Sequence, residues 1–248
     1  MMNLIIDIGN TTSKLAIYDG NGLIFSDKTE SEIITTVKMI REALESFSIQ
    51  NCIMSSVSLP YHQVYAAIKN IPGKVVKLTS ETPIPIINRY STPETLGKDR
   101  LAAAVGATVI FPGSSCLVID AGTAITYDYI RDGREYMGGN ISPGIDIRFK
   151  SLHDFTSRLP LITEPQTTDT FGLSTAEALS NGVINGIIHE IEGYICQFEK
   201  KNVNSNIILT GGSSIYLSKK LKNTIFAEPN LVTIGLNRIL NYNVLKEN

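Results

Sequence analysis

Residues 3–14, NLIIDIGNTTSK, decide the fold of this chain. An apolar run leads to Asp7, and a glycine followed by amide and hydroxyl side chains is typical of a β-strand that ends in a tight turn. Asp19-Gly20-Asn21-Gly22 is typical of a hairpin turn, so Lys14–Tyr18 and Leu23–Asp27 are predicted as the next two strands. We therefore expect the chain to open with an antiparallel sheet.

The same pattern returns in the middle of the chain. Residues 117–122, LVIDAG, match residues 4–9, LIIDIG, at a constant offset of 113 residues, and Asp19-Gly20 falls on Asp132-Gly133. Two copies of strand, acidic glycine turn, strand and hairpin indicate an internal duplication. We therefore predict an α/β protein made of two similar domains.

The duplication places one half at residues 1–114, with the first turn, and the other at residues 115–248, with the second turn. Residues 74–78, 116–120 and 207–209 are short apolar runs that favour further strands. Helical spacing of apolar residues predicts a helix capped by Ser31 and others after Pro60, over Thr95–Phe111, over Ala176–Phe198 and over Thr233–Leu245.

The composition limits the class of protein. The chain has 248 residues, a formal charge of −2 and 22 scattered basic residues, so we expect no nucleic-acid partner. Three widely spaced cysteines offer neither a CxxC metal pair nor a disulfide framework. The opening apolar run is too short for a signal peptide, and no stretch is long enough to span a membrane. A cytoplasmic protein with no membrane partner is expected.

The first turn has the chemistry of a phosphate-binding loop. Gly9 lets the backbone approach a phosphoryl group, neighbouring N–H groups can surround an anion, and Asp7 can hold hydrated Mg²⁺. One isolated Asp-x-Gly is more typical of an ordinary turn, but its repetition at Asp120–Thr123 favours phosphate binding. Lys14 is open to two interpretations, as a catalytic residue or as a solvated lysine that protects an edge strand.

The chain lacks both GxxxxGK[ST] and a GxGxxG after the opening strand, which excludes the Walker and Rossmann modes of phosphate binding. Thr210-Gly211-Gly212-Ser213 follows a strand and precedes a helix, as expected of a loop on which a nucleoside lies. His62, His153 and His189 have no ligand spacing, so no zinc site is expected, and the absence of GxSxG gives no support to a hydrolase triad.

Gly97-Lys98-Asp99-Arg100 stands near the start of a predicted helix. Asp99 can accept a substrate proton while Arg100 steadies an anionic group, a division suited to phosphoryl transfer. The alternative is an acid favoured by the helix dipole beside a surface arginine.

Taken in order, IDIGNT, Tyr90 with PETLGKDR, IDAGTA, GGNISPG and TGGSS resemble type III pantothenate kinase. That family lies in the acetate and sugar kinase, Hsp70 and actin superfamily. The resemblance implies a duplicated ribonuclease-H-like (actin-like ATPase) fold, with mixed sheets around a central cleft, and a homodimer with sites near the subunit interface. It also implies transfer of the ATP γ-phosphate to the primary hydroxyl of pantothenate, the first step of coenzyme A biosynthesis.

The resemblance also assigns roles to residues. Asp99 becomes the general base, and Asp120 helps to bind a monovalent cation, K⁺ or NH₄⁺. Mg²⁺ accompanies ATP as co-substrate. The ATP phosphates are contacted by Asp7, Ile8, Gly9, Asn10, Thr11, Thr12, Ser13, Lys14 and Thr123. Pantothenate is bound by Tyr90, Gly97, Lys98, Asp99, Arg100 and Thr175.

Two alternatives stay open at this point. One is another small-molecule kinase or a phosphatase of the same superfamily, since fold alone does not fix the acceptor. The other is a kinase-like regulator that binds without turnover, which the presence of Asp7, Asp99 and Asp120 disfavours. The loop Leu161–Thr170 is interpreted as a lid, a dimer contact or a simple connector.

Overall fold

Five strands form the first sheet of the computed structural model, which describes residues 1–56, 61–166, 171–203 and 205–246. The strands lie in the order β3-β2-β1-β4-β5, with β1 antiparallel to β2 and parallel to β4. Their bounds are β1 Met2–Ile8, β2 Thr12–Asp19, β3 Gly22–Glu30, β4 Asn51–Ser56 and β5 Val75–Lys77.

One face of this sheet packs on helices α1 (Ile33–Ser46) and α2 (Tyr61–Ile68). Alternate residues of β1, Leu4, Ile6 and Ile8, are buried there because successive side chains of a strand point to opposite faces. The other face carries Asn3, whose amide donates to the Asn237 side chain at 2.8 Å on the last helix. The sheet is therefore covered by helices on both faces.

That last helix, α7 (Leu231–Leu245), packs on α3 (Lys98–Ile110). A Cβ on Gly235 would overlap the carbonyl oxygen of Ala102, so only glycine permits this approach of the two helix backbones. Tyr18 from β2 adds a 2.9 Å hydrogen bond to Thr233. The C-terminal helix thus belongs with the N-terminal sheet.

The second sheet repeats the strand order of the first. Strands β7 (Cys116–Ala121), β8 (Ala124–Arg131), β9 (Glu135–Pro143), β10 (Asn206–Thr210) and β11 (Phe226–Ala227) lie in the order β11-β10-β7-β8-β9, and a sixth, short strand, β6 (Ile87–Asn88), follows beside β9. β7 is parallel to β10 and β10 is parallel to β11, as β1 is to β4 and β4 is to β5. The predicted duplicated α/β fold with mixed sheets is confirmed.

Three helices accompany this sheet: α4 (Ile145–Asp154), α5 (Thr175–Glu199) and α6 (Ser214–Ser218). Its core joins Leu117 and Ile119 of β7 to Ile184, Ile187 and Ile191 of α5, all buried. Within the described residues, no helix is both long and apolar enough to cross a bilayer.

Residue contacts divide the chain into two units that are not sequential. The first comprises Met1–Ser114, Ile130–Gly138 and Asn230–Asn248, and the second comprises Ser115–Tyr129 and Gly139–Pro229. Within the first unit, the short strand β6 (Ile87–Asn88) pairs with Glu135 and Tyr136 at the start of β9. The units therefore differ from the expected halves 1–114 and 115–248, and an origin by duplication stays a prediction.

Two local predictions need correction. The N-cap of α1 is Glu32 rather than Ser31, because the Ser31 hydroxyl donates instead to the Gly9 carbonyl oxygen at 2.9 Å. Helix α3 begins at Lys98, not Thr95, since the backbone of Gly97, with ψ 130°, is not helical. In the loop predicted over Leu161–Thr170, residues 161–166 form neither helix nor strand, and residues 167–170 lie outside the described residues.

Candidate functional site

The first turn joins β1 to β2 in the first unit. Asp7 and Lys14 face each other across these antiparallel strands, and both are half-buried. The Gly9 N–H donates to the Thr12 carbonyl oxygen at 3.0 Å and closes the turn, which leaves Asn10 and Thr11 exposed at its tip. An acid and a lysine are therefore held at the base of an exposed, glycine-containing turn.

A buried hydroxyl network supports this turn from β3 and α1. Ser13 Oγ lies 3.2 Å from Ser31 Oγ and accepts a 3.0 Å hydrogen bond from Thr36. The Ser31 N–H donates to the Thr11 carbonyl oxygen at 3.1 Å. Ser13 is fully buried, and so is the side chain of Ile8, so these two predicted ATP-binding residues offer a ligand their backbone rather than their side chains.

The second turn joins β7 to β8 in the second unit and is braced by two other segments. Gly122 N–H donates to the Ala124 carbonyl oxygen at 3.0 Å, as Gly9 does to Thr12 in the first turn. Gly144, at the N-terminus of α4, donates to the Thr123 carbonyl oxygen at 3.0 Å. The sequence contained the Pro143-Gly144 dipeptide but gave no signal that it supports the turn.

The predicted nucleoside loop lies against the second turn on its other side. Thr210 and Asp120 are register partners in β10 and β7, and the Ser213 N–H donates to the Ala121 carbonyl oxygen at 3.0 Å. Gly211 has φ 91°, and a Cβ there would lie 2.6 Å from the Ala121 carbonyl oxygen and closer still to Asp120 Oδ1. Only glycine fits, because an L side chain would be strained in this conformation and would strike the acid.

The surroundings of Asp120 provide the oxygen ligands that a hard cation prefers. Its carboxylate lies beside the Ala121 carbonyl oxygen at Gly211, and carboxylate and carbonyl oxygens are ligands of such ions. Among the described residues, no group of three or more His, Cys, Asp and Glu side chains is placed to hold a metal. Any cation at Asp120 would therefore depend on backbone oxygens as well as on this carboxylate.

A third cluster, at the start of α3, brings together residues that the sequence predicted to act on one substrate. The Arg100 guanidinium lies 5.9 Å from the centroid of the Tyr90 ring, and Arg100 is only 6% exposed. Asp99 is half-buried in the first helical turn, where its Oδ1 accepts from the Arg100 N–H at 2.8 Å. Tyr136, which sequence analysis did not single out, packs 6.0 Å from Tyr90, centroid to centroid. The cluster thus places a carboxylate, a cation and an aromatic ring together.

The side chain of Lys98 takes no part in an ion pair with Asp99. Its ammonium donates instead to the Leu96 carbonyl oxygen at 3.1 Å. Gly97 has Asp99 Oδ1 so close that a Cβ would lie only 2.6 Å from it. Glycine at this position therefore leaves the Asp99 carboxylate in place at the helix start.

Thr175, the remaining predicted substrate residue, is the exposed first residue of α5 in the second unit. Ser174 caps the helix by accepting from the Glu177 N–H at 3.2 Å, and Glu177 accepts in return from the Leu173 N–H at 2.7 Å. Thr175 lines a cavity of about 440 Å³ with Arg148 and Leu159 among its walls. This capping arrangement, Ser-x-x-Glu, fixes where Thr175 stands.

Arg148 is held beside that cavity by an acid from the middle of α5. Its guanidinium pairs with Glu190, which also accepts a 2.8 Å hydrogen bond from the Tyr127 hydroxyl. Partial burial of Glu190 opposes its ionisation, but the hydrogen bonds from Arg148 and Tyr127 outweigh it and hold the pKa of Glu190 below its ordinary value. Glu190 therefore holds the Arg148 guanidinium at the cavity wall.

Comparisons with known proteins find likenesses over nearly the full length of the chain. The family model described as type III pantothenate kinase matches residues 3–197. A type III pantothenate kinase of Bacteroides fragilis is 44% identical over 246 residues, covering 98% of both chains. One of Flavobacterium johnsoniae is 40% identical over 247 residues, covering 98% of this chain and 99% of that one.

Solved structures share the fold at lower identity. A Campylobacter jejuni protein described as a Baf family transcriptional activator has a TM-score of 0.64 at 24% identity and covers 97% of this chain and 98% of its own. The activator of the 2-hydroxyisocaproyl-CoA dehydratase from Clostridium difficile, with ADPNP bound, has a TM-score of 0.55 at 13% identity, with coverages of 100% and 97%. These likenesses establish the fold, while the matches to the family model and to its full-length relatives show that the chain belongs to the type III pantothenate kinase family.

Proposed function

We propose that this protein phosphorylates pantothenate to 4′-phosphopantothenate with ATP as phosphoryl donor, in the first step of coenzyme A biosynthesis. The observation that carries the proposal is the full-length likeness to relatives named type III pantothenate kinase, at up to 44% identity among those described above. The two glycine turns and the cluster at the start of α3 would supply the residues for this reaction.

In this proposal the turns hold the nucleotide. Backbone N–H groups of residues 8–13, with the exposed side chains of Asn10 and Thr11, bind phosphoryl oxygens, and Lys14 offsets their charge. Thr123 adds a contact from the second turn. Bound Mg²⁺, held through Asp7, would supply charge neutralisation at the phosphoryl group. Asp120, beside carbonyl oxygens, would hold K⁺ or NH₄⁺.

The cluster at α3 acts on the acceptor. Asp99, in the first turn of α3, takes the proton of the primary hydroxyl as general base. Arg100 contributes positive charge for the carboxylate of pantothenate, and Tyr90 keeps the guanidinium in place by stacking near it. Gly97 and Lys98 complete this side of the acceptor site, and Thr175 contacts the acceptor from the start of α5.

We further infer a homodimer that acts in the cytoplasm, with substrate sites near the subunit interface. Exposed apolar side chains near the start of α5 support such an interface, since Phe171 is 83% exposed and Leu173 is 98% exposed. Sedimentation velocity on the purified chain tests it. A dimer at micromolar concentration is expected, and a monomer at all concentrations would contradict it.

The function is tested by ADP release with ATP, Mg²⁺ and K⁺ against a panel of acceptors. Pantothenate should stimulate ADP release and yield a mass that matches 4′-phosphopantothenate, while a hexose, acetate and polyphosphate should not. Release with another acceptor alone would favour a different kinase of the superfamily. Nucleotide binding without any acceptor-dependent product would favour the regulator.

A further inference from the structure

Ser55, near the end of β4, carries a buried hydroxyl that finds no hydrogen-bond partner in the part of the chain that the structure describes. The residue is 1% exposed, and among the described residues its Oγ is the one buried side-chain oxygen or nitrogen that makes no hydrogen bond. Burying an unsatisfied hydroxyl costs stability, and most such groups in proteins are paired. A serine at this position therefore needs a reason other than packing.

The neighbour of Ser55 in the sheet is Asp7. β1 and β4 are parallel, with Asp7 opposite Ser55 and Ile8 opposite Ser56. The residues before and after them, Ile6 and Met54 among others, are buried in the core against α1 and α2, so Asp7 and Ser55 lie together on the other face. Adjacent strands lie about 4.8 Å apart, which puts the Asp7 carboxylate within reach of the Ser55 hydroxyl after rotation of one side chain.

The second unit repeats the pairing. Thr210 in β10 is opposite Asp120 in β7, and Thr210 is also only 1% exposed. Each unit thus places a buried hydroxyl residue beside the acid that precedes its glycine turn. An apolar residue would fill either position at lower cost in desolvation, so the repetition indicates a role beside the acid.

We propose that Ser55 is a positioning residue for Asp7: when the magnesium–nucleotide complex binds, the Ser55 hydroxyl donates a hydrogen bond to the Asp7 carboxylate and fixes the orientation in which that carboxylate holds the complex. The inference rests on the proposed nucleotide role of the first turn. A charged acceptor strengthens such a bond, and carboxylates that hold metal ions are oriented by hydrogen bonds of this kind. Burial of Ser55 is consistent with action through Asp7 rather than direct contact with the ligand.

Three variants separate the hydroxyl from the volume of the side chain. Ser55→Ala removes the oxygen, Ser55→Cys keeps a side chain of similar size with a weak donor, and Ser55→Thr keeps the hydroxyl. The first measurement is the dissociation constant of the Mg²⁺ complex of a non-hydrolysable ATP analogue, by calorimetry. We expect Ser55→Ala and Ser55→Cys to bind about 10-fold more weakly, the lower end for outer-shell partners of metal ligands, and Ser55→Thr to bind within about 2-fold of wild type.

The second measurement is the unfolding temperature without ligand. If Ser55 had only a structural role, Ser55→Ala would lower this temperature. Because the hydroxyl lacks a partner in the described structure, Ser55→Ala should unfold at the wild-type temperature or above it. Thr36→Val is the matched control, since it removes a buried hydroxyl that does donate a hydrogen bond, and its unfolding temperature should fall.

The outcomes that overturn the proposal are distinct. Ser55→Ala that unfolds several degrees early but binds the nucleotide as wild type does would make Ser55 a structural residue, and so would a Ser55→Ala chain that fails to fold. If Ser55→Ala lost affinity for pantothenate and not for the nucleotide, Ser55 would not act through Asp7. A wild-type protein that binds the nucleotide but fails to phosphorylate pantothenate would defeat the proposed function and leave the binding test of Ser55 intact.

Discussion

Gly211→Ala should disrupt the second turn through a single methyl group. The backbone at Gly211 has φ 91°, and the left-handed region costs an L residue about 1–2 kcal/mol. The new Cβ would also lie 2.6 Å from the Ala121 carbonyl oxygen, with Asp120 Oδ1 still closer, and crowding of this kind costs about 1–3 kcal/mol. A total of about 3 kcal/mol would lower the unfolding temperature by about 6–12 °C.

Gly212→Ala is the control for that variant. No atom lies within 4 Å of a Cβ at Gly212, and its φ is not positive, so we expect a change of about 1–2 °C at most. Thermal unfolding by circular dichroism gives both temperatures, and steady-state kinetics gives the KM for ATP, which should rise only in Gly211→Ala as Asp120 is displaced. Equal unfolding temperatures and equal KM values for the two variants would refute the argument that Gly211 makes room for Asp120.

Three other predictions concern charged groups. Asp99→Asn should lower kcat at least about 100-fold with little change in unfolding temperature, and kcat within a few-fold of wild type would remove Asp99 from the role of base. Replacing K⁺ with Na⁺ should depress kcat in wild type, and Asp120→Asn should abolish that dependence; equal rates in the two salts would contradict the cation site. The pKa of Glu190 in the folded protein lies below the ordinary value of 4.5. The ionised carboxylate therefore stabilises the fold above pH 4.5, and this stabilisation is lost as the pH falls through the pKa of the folded state. Unfolding temperatures between pH 7 and about pH 3 should therefore fall less in Glu190→Gln than in wild type, and parallel curves would show that the pairing with Arg148 adds no stability.

The repeated strand-and-turn pattern could be predicted from sequence because its causes are local. Apolar alternation followed by Asp, Gly and hydroxyl residues fixes both the strand and its turn, and the structure has β1 and β7 where the pattern placed them. The hydroxyl of Ser31 shows the limit of that approach. A serine before a helix is typical of a cap, but a more distant carbonyl oxygen, that of Gly9, receives its hydrogen bond.

The supports of the site depend on contacts between distant parts of the chain, which single-sequence patterns do not report. Parallel pairing of β10 with β7 brings Gly211 to Asp120, and the start of β9 brings Tyr136 to Tyr90. Packing of α7 on α3 likewise assigns the C-terminal helix to the first unit, although the sequence suggests two consecutive halves. The sequence contains Gly211 and Gly235, but it does not show that they lie against Asp120 and Ala102.

The central claim is that the γ-phosphoryl group of ATP goes to the primary hydroxyl of pantothenate. It is tested most directly by following the label of [γ-³²P]ATP in wild type and in Asp99→Asn, with Mg²⁺ and K⁺ present. We predict that wild type places the label in 4′-phosphopantothenate and that the variant does so at least about 100-fold more slowly. If wild type released the label only as inorganic phosphate, or did not transfer it at all, the assignment of this protein as a pantothenate kinase would be contradicted.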